Sequence, residues 1–324
     1  MRILLSILLL TVMPQVHVHA QQISTADVIR IREFYRFASL VQDKIWPEWS
    51  RVPAPLLLVT DQGEFLTHHP APPGNFRKLS DDFYSRERTF STHLLATFPA
   101  FGPPSVIVIG EPESTSAKTS TPWLITVMHE HFHQLQNAQP EYYEGVENLG
   151  LTHGDKTGMW MLNYPFPYVE QRVNKGFDRV RNLLLETLAQ PDPQKFARLA
   201  AQYSAARKQF FAQLSADDHK YLAFQLWQEG IARYTQIKCA EAAADFQPSV
   251  EYAALRDFQP FAEYAKTARP DTLDELRKLD ISKSKREVVY SWGAAEGFLL
   301  DRLTDRWRDG YFSHPFSLDS FFDR

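Results

Sequence analysis

Thr126-Val127-Met128-His129-Glu130-His131-Phe132-His133-Gln134-Leu135-Gln136 is the stretch on which the reading of this chain turns. It contains His-Glu-x-x-His, with His129 and His133 four residues apart. On an α-helix that spacing puts both imidazoles on one face, one turn apart. Two imidazoles held in this way can grip one small divalent ion, most often zinc. Glu130 is rotated round the helix, where it can reach a water on the ion more easily than the ion itself. Two ligands, a general base and an open coordination position are the parts of a zinc hydrolase. With 11 His among 324 residues, chance would produce the motif about 0.02 times per chain of this composition. Leu124, Ile125, Val127 and Met128 precede it, and Phe132 and Leu135 fall where a helix packs inward. His131 lies two residues from each flanking histidine and points away from both. It is read as a bystander or as a supporting group.

Working outward, the helix is expected to start with Thr121 as cap and Pro122 in the first turn, and to end near Asn137 before Pro140. Ser105–Gly110 reads as a strand, Pro55–Thr60 as a buried strand and Glu64–Thr67 as its return across the Asp61-Gln62-Gly63 turn. Thr89–Thr97 reads as a further strand. Thr25 to about Trp49 has helical periodicity. His68-His69, in a Pro-rich loop, is read as surface, because sequence neighbours rarely face one ion. Tyr142–Pro167 is expected to be irregular. Helices are expected over Tyr168–Leu188, Pro193–Leu214, 217–244 and 287–307. The fold class is therefore α+β. It has a strand-containing N-terminal lobe over 21–120 and a mainly helical region over 121–324.

Residues 1–20 form a short basic start followed by a brief apolar run, ending in Val18-His19-Ala20. This reads as a secretory leader cleaved after Ala20, which places the chain outside the cytoplasm, in the periplasm or the medium. The remaining 324 − 20 = 304 residues can bury a substantial core. No other stretch is long and apolar enough to span a bilayer, so no stable membrane span is expected after cleavage. A formal charge of −4 with no block of one sign argues against a nucleic-acid surface. Cys239 is the only cysteine, so no internal disulfide can form.

Catalytic zinc takes three protein ligands. The leading candidate for the third lies in Leu226-Trp227-Gln228-Glu229-Gly230-Ile231-Ala232-Arg233-Tyr234. Glu229 sits at the edge of an apolar stripe formed by Ala223, Leu226, Trp227, Ile231, Tyr234 and Ile237. Spacing alone favours an exposed carboxylate paired with Arg233. Gly230 weakens a helix by roughly 1 kcal/mol against Ala, which points to close approach of another element. Glu141, Glu144, Glu147, His153 and His219 are rival ligands.

His-Glu-x-x-His followed by a helix carrying Trp-x-Glu-Gly-x-Ala-x-Tyr resembles the gluzincin branch of the zincin metallopeptidases, whose third ligand is Glu. The resemblance implies His129, His133 and Glu229 as zinc ligands, Glu130 as base, and a peptide or protein substrate attacked by a zinc-activated water. It extends to Val289-Tyr290-Ser291-Trp292-Gly293, where Tyr290 is the implied oxyanion donor, with Tyr234 and His153 as alternates. Two features depart from the family pattern. Ninety-six residues (229 − 133) separate His133 from Glu229. Arg233 also stands where thermolysin-like members carry an Asp that orients a histidine, so that support must come from elsewhere. The same ligand set also allows a zinc hydrolase acting on a non-peptide bond, or a binding protein that keeps the fold without catalysis.

Overall fold

The computed structural model describes residues 22–304 and 306–323. The proposed leader, 1–20, lies outside them. The fold is α+β: a six-stranded sheet near the N-terminus, then a mainly helical region.

Helix α1 (Thr25–Ile45) opens on Ser24, whose hydroxyl accepts from the Asp27 backbone N–H. The strands follow as β1 (Leu56–Thr60), β2 (Gly63–Thr67), β3 (Arg77–Lys78), β4 (Tyr84–Arg86), β5 (Leu95–Phe98) and β6 (Val106–Gly110). They lie in the order β3-β4-β2-β1-β6-β5, with β1 and β6 parallel and every other pair antiparallel. Both faces of the sheet are covered. Leu56, Leu58, Phe65, Ile107 and Ile109 join the main core, while Leu57, Val59, Leu66, Val106 and Val108 pack with Phe76 on the far side. That two-sided burial is why β1 and β6 read as unbroken apolar runs. The expected strand over Thr89–Thr97 is shorter. Only Leu95–Phe98 pairs, because the backbone N–H groups of Thr89 and Phe90 each donate to the Glu64 carboxylate at 2.6 Å.

The motif helix, α2 (Ser120–Asn137), is bolted to this sheet at both ends. The Trp123 indole donates to Gly110 O at 2.8 Å, where β6 ends. The Gln134 side-chain amide donates to Pro55 O and Ser105 O, at the entries to β1 and β6. The helix begins one residue before the expected cap. Thr119 takes the cap position, and the Thr121 hydroxyl instead donates to Gln259 O at 2.6 Å.

Two short helices, α3 (Tyr142–Asn148) and α4 (Trp160–Asn163), interrupt the stretch expected to be irregular. Helices α5 (Gln171–Ala189) and α6 (Pro193–Phe211) pair with each other. The expected helix over 217–244 is not uniform. It runs as α7 (Ala216–Gln225), a π-helical turn over Leu226–Gly230, and α8 (Ile231–Ala242). After α9 (Val250–Ala253), helix α10 (Phe261–Lys278) forms around an internal Pro270 and is not among the helices read from the sequence. It packs on α8 and α12, so burial outweighs the lost hydrogen bond. Then come α11 (Ile281–Ser284), α12 (Val288–Leu303), α13 (Trp307–Tyr311) and α14 (Asp319–Phe322). Helix α8 lies against both α2 and α12. One apolar cluster runs from α1 through α2, α8 and α12 to Phe322. Among the described residues no helix is long and apolar enough to cross a membrane.

Candidate metal centre

His129 and His133 project from one face of α2, and their Nε2 atoms lie 3.1 Å apart. Glu229 meets them from the π turn, its Oε2 being 3.6 Å from His129 Nε2 and 3.3 Å from His133 Nε2. Ligands bound at about 2.05 Å to a tetrahedral ion stand about 3.3 Å from one another. The three donor atoms therefore have the mutual spacing of groups sharing one small ion. Glu130 also comes within 4.8 Å of both ring nitrogens, but its carboxylate is occupied otherwise. Thr97, on edge strand β5, donates its hydroxyl to Glu130 Oε2 at 2.8 Å and lies 3.0 Å from the Glu130 carbonyl. Geometry thus separates the two carboxylates, with Glu229 at ligand spacing and Glu130 beside it.

The π turn explains how Glu229 gets there. The Ile231 N–H reaches back five residues to Leu226 O, which inserts one residue into the turn and rotates the residues after it. The i+4 pairing of Glu229 with Arg233 does not form. Arg233 faces Gln236 and Glu275 instead. Gly230 meets Gly293 of α12 almost backbone to backbone, which is the close approach expected of it.

Charge is balanced around Glu229. Its second oxygen accepts from Arg286 Nη2 at 2.7 Å. The same guanidinium donates to Gln225 Oε1 and to the Tyr290 hydroxyl, each at 2.9 Å. Burial alone would raise the Glu229 carboxyl, but His133, His129 and Arg286 together hold it well below the usual carboxylate range. Burial also works against a charged His133, yet the charge and hydrogen bond of Glu229 carry it up to about 9. His129 moves the other way, pulled down by burial. The metal-free cluster thus carries a proton on His133 beside an ionised Glu229. Tyr290 stays a neutral phenol, pushed up by burial and by the Glu229 charge against the opposing pull of Arg286. Because its oxygen accepts from Arg286, its own hydrogen remains available for another acceptor.

His131 occupies the opposite side of α2. Its ring is buried, stacks on Trp49 with centroids 4.9 Å apart and bonds Gln134 and Gln42 at 2.9 Å each. Burial takes it down to about 4, so it is a neutral packing residue. The rival ligands lie elsewhere. Glu141, Glu144, Glu147 and His153 are exposed, and His219 bonds Asp319 at 2.7 Å. The Tyr234 hydroxyl is engaged with Asp301 at 2.8 Å and with Arg308. Cys239 is buried and apolar in its surroundings. His68 is exposed and His69 half-buried, in a surface loop. Among the described residues, the His129–Glu130–His133 group is the one cluster of metal-binding type.

Thr97, Gln136 and Arg286 belong to the site and have no site role in the sequence reading. Gln136 had a signal, since it lies three residues after His133 on the same helix face. Thr97 and Arg286 had none, because they arrive from a distant strand and a distant turn. No protein-family model matches the chain, and comparison with curated proteins and with solved structures finds no match.

Proposed function

We propose that this chain is a zinc-dependent hydrolase of gluzincin type that cleaves peptide bonds. His129, His133 and Glu229 would be the ligands and Glu130 the general base. The observation that carries the reading is the mutual spacing of 3.1, 3.3 and 3.6 Å among three donor atoms drawn from two helices. The donor set also fits zinc chemically, with two imidazoles and one carboxylate oxygen. Bound there, zinc supplies a Lewis acid that lowers the pKa of water and polarises a carbonyl.

The chain supplies the rest. Glu130 accepts the proton of the attacking water and delivers it to the leaving amine. Thr97 fixes one carboxylate oxygen of Glu130, which leaves the other to face the water. Tyr290, oriented through Arg286, donates to the oxyanion that develops on the substrate. Strand β5 is the last in the sheet and carries Thr97, so an extended peptide pairing with its free edge would run past Glu130. Residues 1–20 support export of the enzyme, and its substrates are then peptides or proteins outside the cytoplasm.

The test is Glu130→Gln in the full mature chain, read for zinc content by metal mass spectrometry and for cleavage of a broad peptide library. One zinc per chain with cleavage lost is expected. Undiminished cleavage by the zinc-loaded variant would remove Glu130 as the base. A zinc-loaded wild type that leaves the whole library intact would shift the reading to a non-peptide substrate.

A further inference from the structure

The two ring nitrogens of His133 have different neighbours. Nε2 faces His129 and Glu229, whereas Nδ1 lies 2.7 Å from Gln136 Oε1. Gln136 is fully buried, and its amide nitrogen, with two hydrogens, faces three acceptors: Trp227 O at 3.2 Å, Gln228 O at 3.1 Å and the Tyr311 hydroxyl at 2.8 Å. Two of these are carbonyls that can only accept. The amide nitrogen must face them, so the amide oxygen must face the ring. An acceptor opposite Nδ1 requires a hydrogen on Nδ1, and in the neutral ring this leaves the lone pair on Nε2, the tautomer that binds a metal through Nε2. Gln228 makes no equal demand. It is 3.2 Å from Nδ1, and its other side-chain partner is the Tyr142 hydroxyl, which can donate or accept.

The two carbonyls that hold Gln136 belong to the π turn. A slip from four- to five-residue bonding leaves a main-chain carbonyl without its helical partner. Trp227 O accepts from the Tyr311 hydroxyl at 2.6 Å and from Gln136. Tyr311 also stacks face to face on Trp227, with centroids 4.8 Å apart. The segment that orients His133 is therefore the segment that carries Glu229, and α13 near the C-terminus locks both.

We propose that Gln136 is the positioning residue of the metal centre. It sets the tautomer and direction of His133 and ties that ligand to the π turn carrying Glu229, with Tyr311 as the clamp. The proposal rests on the zinc reading and goes beyond it.

The experiment measures zinc affinity of the full mature chain by competition with a chromophoric chelator, together with the visible spectrum of the cobalt(II)-loaded form. Wild type is compared with Gln136→Leu, Gln136→Glu and Tyr311→Phe, each checked for folding by circular dichroism. Gln136→Leu should bind zinc about 10- to 100-fold more weakly, with shifted cobalt bands. Gln136→Glu restores an acceptor for Nδ1 but not the donors to the π turn, so it should recover only part of the affinity. Equal weakening in both variants would reduce Gln136 to a packing residue and overturn the assignment, as would Leu at wild-type affinity. If the Gln136 variants do not fold, Tyr311→Phe decides. A loss of about threefold or more is expected from one hydrogen bond, and no loss overturns the proposal. Absence of zinc from the wild type would instead overturn the metal reading beneath it.

Discussion

A Cβ added to Gly230 would stand 2.5 Å from the Cα of Gly293, and one added to Gly293 would meet Gly230 in the same way. The π turn and α12 thus cross with nothing between their backbones. Glu229 precedes one of these glycines, while Tyr290 and Arg286 lie three and seven residues before the other. The crossing therefore sets the distance from Glu229, the proposed third ligand, to its guanidinium partner Arg286. Gly230→Ala and Gly293→Ala should each destabilise the protein by about 1–3 kcal/mol through overpacking, read from denaturant midpoints, and should weaken zinc binding. Gly74→Ala, with no atom near its added Cβ, is the control and should stay within about 0.5 kcal/mol of wild type. Unchanged midpoints in the first two would mean that the helices separate at little cost.

Glu229→Ala removes the one proposed ligand that comes from outside α2. Purified wild type should hold one zinc per chain, and the variant should hold it far more weakly. At a free zinc concentration 100-fold above its dissociation constant, zinc should stabilise wild type by about 2.7 kcal/mol. Calorimetric melting with and without a chelator reads that shift, which should shrink in the variant. An equal shift in both proteins would place the third ligand elsewhere.

Zinc uptake should depend on pH in a defined sense. In the metal-free protein Glu229 holds His133 protonated up to about 9, while burial leaves His129 neutral. Below about pH 9 zinc must displace the His133 proton, and above it there is none to displace. At pH 7 binding should release close to one proton, and affinity should rise about tenfold per pH unit until that limit. Calorimetric titration in buffers of different ionisation enthalpy counts the proton. A buffer-independent heat would contradict the coupling.

Glu111, half-buried where β6 ends, gives a pH test away from the metal. Burial, and then the charge of Asp27 and Glu113 against the opposing pull of Arg30, raises its carboxyl to about 7. The folded-state value is above the unfolded one, so its contribution is fully present in acid and is lost as pH rises towards 7. Glu111→Gln keeps the shape without the charge. It should melt higher than wild type at pH 8, with the difference narrowing at pH 5. A wild type that melts higher at pH 8 would show that the carboxylate is stabilising there.

The pair His129–His133 was legible because a four-residue spacing on a helix is a local fact, fixed by helix geometry whatever surrounds it. The same holds for the buried strands Leu56–Thr60 and Val106–Gly110 and for Gly230, whose composition reports burial and close approach directly. Only the tertiary structure decided how the remaining groups meet. Glu229 lies 96 residues (229 − 133) after His133, and regular helix geometry would turn it towards Arg233. A one-residue slip in backbone bonding, stabilised by Gln136 and Tyr311 from other elements, turns it to the histidines instead. Thr97 reaches Glu130 from strand β5, and Arg286 reaches Glu229 from just before α12. These contacts join parts of the chain whose separation carries no periodic signal. The sequence by itself determined which atoms could bind a metal, and packing determined which of them lie at the spacing of groups sharing one.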